Sequence, residues 1–288
     1  MYDIIIVGAG PAGLTAALYA RRAGHTVLIL EGGVPGGQAA TTPNVENWPG
    51  TPAIGGADFA MNLYQQVQDL GAEVAVCTHV SNVFGYILPM EEIARLCRDR
   101  GVPLIVDASQ SAGALPLDFQ ALGADFIAMP GHKGLYGPQG TGLLLCARTP
   151  EPLLQGGTGS ESIRQEMPDF LPDRAEPGTH NLPGIAGLRE GLRFVRRLGP
   201  ETIARRESRL LRQLGEGLAR LPGVECFYAP EGEHQAGVLS FRLPGRDCEE
   251  VGETLADRGF ALRAGLHCAP LAHRTAGTLD TGTVRASL

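Results

Sequence analysis

The sequence predicts an alternating α/β protein with a mostly parallel sheet and a smaller α+β region towards its C-terminal end. Three observations predict it. Short continuous apolar runs, "IIIV", "VPLIVD" and "DFIAM", have the length and character of strands buried on both faces. Segments such as "MEEIARLCRDRG" carry apolar residues at helical spacing between such runs, the pattern of strands crossed over by helices. Beyond about Pro183 the pattern becomes helical and then turns into short strands.

The chain opens with a strand over Ile4 to Val7, a glycine turn, a helix and a second strand ending at Glu31. Gly8, Gly10 and Gly13 stand at GxGxxG spacing. Gly8 permits the tight turn, Gly10 lets backbone approach a pyrophosphate, and Gly13 lets helix and strand pack closely. The helix start offers free N–H groups to an anion. Glu31 lies about 20 residues on, where a ribose-binding acid is expected. From Ala75 the alternation resumes with a strand in "AVCTHVS", a helix in "MEEIARLCRDRG" closed by Gly101, and strands in "VPLIVDAS", "DFIAMP" and "TGLLLCA". Two helices follow in "GIAGLREGLRFVRRLG" and "ETIARRESRLLRQLGEGLARL". Two or three strands ("VECFYA", "GVLSFRL", "FALRAG") and a helix in "CEEVGETLADRG" complete the order.

Two polar residues end apolar strands. Asp107 closes "PLIVD", at the carboxyl end of a buried strand, where open α/β sheets contact ligands. It would serve equally as the N-cap of a helix in "SQSAGAL". Lys133 lies in the glycine-rich loop "MPGHKGLYGPQGTG". It is either an ordinary solvated lysine or a desolvated amine able to form a Schiff base.

The net charge of −7 argues against nucleic acid or an anionic membrane surface as the main partner, since phosphates are held by clustered Lys and Arg. No apolar run reaches the ~20 residues that span a bilayer. "MYDIIIVGAG" lacks a basic leader and reads as a strand. Cys77, Cys97, Cys146, Cys226, Cys248 and Cys268 contain no CxxC pair, which points to free thiols in a reducing cytoplasm and to no metal site. Most of the six are expected to be buried.

With the opening unit, "PGGQAATTPNVENWPG" resembles the FAD domain of low-molecular-weight thioredoxin reductases, as far as about Val74. The resemblance implies Gly36, Gly37, Gln38 and Asn47 as flavin neighbours, beside Gly8, Gly10, Gly13 and Glu31. That family's redox CxxC and NADPH domain have no match here, so its disulfide-reducing activity is not implied.

"HVSNVFGYILP", "VDASQSAG", "MPGHKGLYGPQGTG", "EPGTHNLPGIAGL", "RAGLHCAPLAH" and "GTLDTGTVR" occur in that order. Over about residues 75–288 they resemble class V PLP-dependent aminotransferase-fold enzymes, within them the cysteine desulfurase and selenocysteine lyase group. The resemblance implies that Lys133 carries PLP and that Asp107 partners its pyridinium nitrogen. Gln110 matches the partner of the ring hydroxyl and His132 a phosphate contact. Thr179 matches a phosphate contact given to the neighbouring subunit's cofactor, which implies a homodimer. Asn82, Arg263 and Arg285 match the substrate region. Cys268 matches the nucleophile that takes sulfur as a persulfide, and Arg263 and His267 are expected to lower its pKa. Pro130 stands where many of these enzymes carry a phosphate-binding serine.

The resemblances imply a partial Rossmann-like FAD-binding segment (1–74) joined to a truncated PLP fold type I domain (75–200) with a small α+β C-terminal domain (201–288). The family's phosphate-binding glycine/threonine turn and ring-stacking aromatic belong to its earlier half, which the flavoprotein-like stretch replaces. The chain ends just after Arg285, where the family continues. The implied function is cytoplasmic, PLP-dependent release of sulfur from cysteine or selenocysteine, leaving alanine and passing sulfur to an acceptor protein. An FAD-binding module and an inactive chimera, arising by fusion, engineering or sequence assembly, stay open beside it.

Overall fold

The structure, a computed structural model, describes residues 2–30, 35–40, 42–45, 53–71, 73–74, 78–99, 103–150, 152, 154–157, 159–161, 163–229 and 234–288. Strand β1 (Ile4–Val7) leads through the glycine turn into helix α1 (Pro11–Arg22) and strand β2 (Val27–Leu30). The two strands are parallel, in register from Ile4 against Val27 to Val7 against Leu30. A Cβ on Gly13 would collide with the Gly8 carbonyl oxygen, so only glycine lets α1 start this close to the strand. Pro11 sits at the first helical position, where its missing N–H is no loss. Arg21 extends past the end of α1 and donates from Nε to the Leu70 carbonyl at 2.7 Å and from Nη1 to that of His25 at 2.6 Å. Leu70 follows α3 (Gly56–Asp69), which is preceded by the short α2 (Gly37–Ala40). α3 was not among the expected elements; it buries Val67 with Leu14, Ala17, Ile6, Val27 and Ile29. Strand β3 (Glu73–Val74) pairs with β2.

Helix α4 (Met90–Asp99), β4 (Leu104–Asp107), α5 (Phe119–Leu122), β5 (Phe126–Pro130) and β6 (Gly142–Cys146) follow as expected, apart from α5. Asp118 caps α5 by accepting from the Gln120 and Ala121 amides, both at 2.9 Å. All six strands form one sheet, in the order β3-β2-β1-β4-β5-β6. β1 pairs parallel with β4 (Ile5 against Leu104, Ile6 against Ile105), β4 parallel with β5, and β6 antiparallel on β5. The glycine-turn unit is thus hydrogen-bonded to the strand that ends in Asp107, and strands from before residue 75 and after residue 103 share one sheet.

Successive strand residues face opposite sides, and β4 uses this to join two cores. Leu104 and Val106 are buried with Ala94, Cys97 and Ile127, while Ile105 packs on the cluster around Ile6 and Leu14. The strand expected in "AVCTHVS" is corrected over its described residues, 78–81. Residues 75–77 lie outside the described residues, and Val80 makes only an isolated bridge with Ile87. The Ser81 hydroxyl accepts from the Phe84 amide at 3.2 Å, where residues 82–84 turn.

The C-terminal region comprises α6 (Leu182–Leu198), α7 (Pro200–Ala219), β7 (Glu225–Phe227), β8 (Val238–Arg242), α8 (Cys248–Ala256), β9 (Arg263–Gly265), α9 (Pro270–Thr275) and β10 (Thr283–Ser287). Its four strands make a second, antiparallel sheet in the order β7-β8-β10-β9. The sequence reading names only three of them. The fourth, β10, lies inside "GTVRASL" and occupies an inner position, its Val284 fully buried with Leu211, Leu239, Phe241 and Cys248.

Cys97 and Cys248 are buried, whereas Cys146, Cys226 and Cys268 are half-buried; all five are free thiols, and Cys77 lies outside the described residues. Fewer are fully buried than expected. Among the described residues no helix is long and apolar enough to cross a membrane.

Candidate active site

Asp107 ends β4 at the carboxyl edge of the large sheet. Its Oδ1 accepts from the Ser109 amide at 2.8 Å and from the Ser109 hydroxyl. The residues after it form turns, so Asp107 closes a local turn and does not cap a helix. Because β1 lies beside β4, the glycine turn shares this edge: a Cβ on Gly8 would stand 3.7 Å from the Asp107 Cβ. The His79 amide donates to the Asp107 carbonyl at 3.3 Å. The His79 ring shares a 2.8 Å hydrogen bond with Ser111. Burial lowers its pKa, opposed by the Asp107 carboxylate.

Lys133 is carried by the loop after β5. Hydrogen bonds from Gly131 to the Thr141 carbonyl (2.8 Å), Gly137 to that of Gly131 (2.7 Å) and Tyr136 to that of Lys133 (2.9 Å) close the loop on itself. Burial holds the Lys133 amine below the ordinary lysine range. Asp107 and Cys268 raise it and Arg285 lowers it further. Lys133 thus interacts with three groups distant from it in sequence. His132, next to Lys133, is exposed, and Gln110 is half-buried in the turn after Asp107. Thr179 is exposed in the loop before α6.

The Asn82 segment is fastened to the small sheet. Ser240 donates to the Val83 carbonyl at 2.6 Å, and Gln235 Nε2 to those of Phe84 and Val238, both at 2.9 Å. Gly85, at φ +72, permits this approach, since a Cβ there would collide with the Val238 carbonyl. Asn82 Nδ2 donates to the His267 carbonyl at 2.7 Å, and Arg285 Nη1 donates to the Asn82 carbonyl at 2.8 Å. Arg285 on β10 pairs in register with Arg263 on β9. Burial and then Arg263 lower the Arg285 pKa, and Cys268 raises it. The Arg285 Nε is buried with no hydrogen-bond partner among the described residues.

Cys268 follows His267, and both hold left-handed backbone at φ +61 and +51. His267 Nε2 lies 3.0 Å from the Thr283 carbonyl. A carbonyl only accepts, so that nitrogen carries the proton. Burial, then Arg285, pushes the His267 pKa down to about 4, so the ring is neutral at neutral pH. This corrects the expectation that His267 helps Cys268 ionise by its charge. Lys133 and Arg285 each interact with Cys268, and Arg263 acts on Arg285 and His267.

Of the flavin set, Gly8 has φ +118, Gly36 +107 and Gly37 +51. The Gly36 amide donates to the Ala9 carbonyl at 2.5 Å, and a Cβ on Gly37 would stand 3.3 Å from the Gly10 Cα. Glu31, Asn47 and the side chain of Gln38 lie outside the described residues. Sequence reasoning missed His79, Ser111, Gln235 and Ser240. The available signals were a serine inside the apolar strand "GVLSF" and a histidine heading "HVSNVFG".

The aminotransferase class-V family model matches residues 55–288, and that of pyridine nucleotide-disulphide oxidoreductases matches residues 2–96. A probable cysteine desulfurase of Methanothermobacter thermautotrophicus is 35% identical over 229 residues, 76% of this chain and 56% of that protein. One of Xylella fastidiosa is 40% identical over 218 residues, 73% of this chain and 51% of that protein. The chain spans about half the length of these curated relatives. Among solved structures, the apo cysteine desulfurase of Thermococcus onnurineus NA1 superposes with TM-score 0.73 at 28% identity, covering 95% of this chain and 72% of that one. The Escherichia coli cysteine desulfurase CsdA gives 0.68 at 28% identity, covering 79% and 63%. The fold is therefore the PLP fold type I architecture.

Proposed function

The chain belongs to the aminotransferase class-V family, and from that premise we propose that it is a PLP-dependent enzyme that takes sulfur from cysteine, leaving alanine. One observation carries the reading. The half-buried Lys133 amine, with its lowered pKa, lies within electrostatic reach of Asp107, Cys268 and Arg285. An amine, a carboxylate at the sheet edge, a thiol and a guanidinium with an unpartnered buried Nε fit PLP and an amino-acid substrate. The names of the relatives support the same class of reaction.

Lys133, Asp107, Gln110 and His132 would hold PLP, with Thr179 supplied by a second copy in a homodimer. Bound PLP supplies an electron sink for charge developing at the substrate's α-carbon. Arg285 receives the substrate carboxylate through its planar fork, with Arg263 beside it. Lys133 moves the proton at the α-carbon, a task suited to an amine whose pKa burial has lowered. The Cys268 thiolate attacks the substrate sulfur. A sulfur–sulfur bond forms as the carbon–sulfur bond breaks, the electron pair stays on carbon, and a proton there completes alanine. The sulfur remains on Cys268 as a persulfide for an acceptor protein.

The decisive experiment incubates the purified chain with PLP and cysteine. Alanine and Cys268 persulfide in equal amounts in a single turnover are expected; neither product would sink the reading. Arg285→Lys keeps the charge and loses the fork. Its KM for cysteine should rise about tenfold or more, the loss of one charge-assisted hydrogen bond. Steady-state kinetics measure it.

A second reading, a flavin-binding module, is favoured by the match over residues 2–96 and by the intact β1–α1–β2 unit with its glycine turn. It predicts a yellow protein with flavin near-stoichiometric with chain. A colourless preparation that takes up no added FAD excludes it.

A further inference from the structure

The two cofactor readings meet at one point of the large sheet. Residues before 75 supply β3, β2 and β1, and residues after 103 supply β4, β5 and β6. β1 leads through α1 to β2 on one side, while β4 leads through α5 to β5 on the other. Strand order therefore reverses between β1 and β4. Open α/β sheets in the order 3-2-1-4-5-6 hold a dinucleotide across the crevice at that reversal. β6 departs by running antiparallel to β5, but it lies two strands beyond the crevice. We propose that PLP and a flavin dinucleotide exclude one another in this chain, because both need the space outside the carboxyl end of β4. The proposal rests on reading Asp107 as the partner of the PLP ring nitrogen and the turn of residues 8–13 as the dinucleotide's pyrophosphate seat.

Asp107 shows where that space lies. Its Oδ1 is taken by the Ser109 amide and hydroxyl. Its Oδ2 takes no hydrogen bond from the described residues, so it is the oxygen left for a ligand. A Cβ on Gly8 would stand 4.0 Å from that oxygen and 3.7 Å from the Asp107 Cβ. The free oxygen thus borders the glycine turn, and Gly8 has no side chain to part the two. Neighbouring strands lie about 4.8 Å apart, and groups that are not bonded to each other need ~3.5–4 Å between their atoms. A ring over β4 therefore has no room beside a pyrophosphate that continues over the same strand.

Neither ligand is free to move aside. A pyrophosphate at the start of α1 sends the adenosine half over β2 and the other half across the crevice, over β4. PLP is tied on the opposite side. Lys133, on the loop after β5, interacts with Asp107, so a ring held by both lies over the ends of β4 and β5. The exclusion is reciprocal. Whatever factor PLP imposes on the affinity for FAD, FAD imposes on the affinity for PLP.

The purified chain is dialysed to equilibrium against FAD with rising PLP, and both bound cofactors are measured by liquid chromatography. PLP at about ten times its own Kd should raise the apparent Kd for FAD about tenfold, and FAD should do the same to PLP. Bound FAD and bound PLP together should not exceed one per chain. Gly10→Glu checks the place of the competition. A Cβ at Gly10 meets nothing within 4 Å, so the turn has room for a side chain, and the charge repels a pyrophosphate. This variant should take up no FAD, and adding FAD should no longer release PLP from it. If it fails to fold, as judged by circular dichroism, the wild-type titration decides alone. Loss of PLP to FAD that persists in Gly10→Glu overturns the proposal. Both cofactors bound at full stoichiometry in one chain overturn it too, while both readings stand. A chain that takes PLP and no FAD removes the flavin reading along with the exclusion; one that takes FAD and no PLP removes the desulfurase reading along with it.

Discussion

Lys133→Ala is expected to lower alanine formation from cysteine by at least about three orders of magnitude, since positioned proton transfer alone contributes roughly 10²–10⁴-fold. The size of the effect follows from where the residue sits. Lys133 is held on a loop whose own hydrogen bonds fix it against the end of β5, and burial keeps its amine below the ordinary lysine range. Asp107 and Cys268 favour the ammonium and Arg285 disfavours it, so binding a substrate carboxylate at Arg285 removes part of one opposing charge. No second lysine is available to replace it, because the sequence contains no other. The assay is alanine release under saturating PLP, with the visible band of bound PLP recorded in parallel. A variant that keeps wild-type turnover would remove Lys133 from the chemistry and with it the assignment of the site.

Cys268→Ala is expected to abolish persulfide formation and to slow alanine release from cysteine by at least about a hundredfold, an added barrier of ~2.7 kcal/mol. The visible band of bound PLP should be unchanged, because Cys268 is not among the residues that would hold the cofactor. The other described cysteines cannot stand in. Cys97 and Cys248 are buried, and burial pushes the Cys226 thiol up to about 11. Burial raises the Cys146 thiol as well. Since the thiolate is the nucleophile, such thiols contribute little near neutral pH. Mass spectrometry of the cysteine-treated protein checks the first outcome and amino-acid analysis the second. Persulfide found on another cysteine in Cys268→Ala would move the acceptor role elsewhere.

The sequence by itself determined the elements and the chemistry at their ends. Apolar runs, helical spacing, and the glycines and caps that stop them are local signals. They placed β1, α1, β2, α4, β4, β5, β6, α6, α7 and α8 where the structure has them. Asp107 and Lys133 were legible for the same reason, each a polar residue just beyond an apolar strand. The left-handed thiol turn was not, since cysteine is not among the residue types that favour φ above zero.

Only the tertiary structure decided which strands meet and what charge each buried group carries. "IIIV" and "AVCTHVS" are both acceptable neighbours for "PLIVD" by composition. Pairing is non-local, and the strand found beside β4 is β1, from the far side of the 74–75 junction. That pairing sets the glycine turn next to Asp107. The neutrality of His267 was likewise invisible, because its pKa near 4 comes from burial and from Arg285 on β10, a neighbour only in the folded chain. The direction of the Asn82 amide, towards the His267 carbonyl, exists only once the small sheet has docked on the segment that carries it. Local spacing fixes what a residue is able to do; desolvation and the neighbours brought by folding fix what it does.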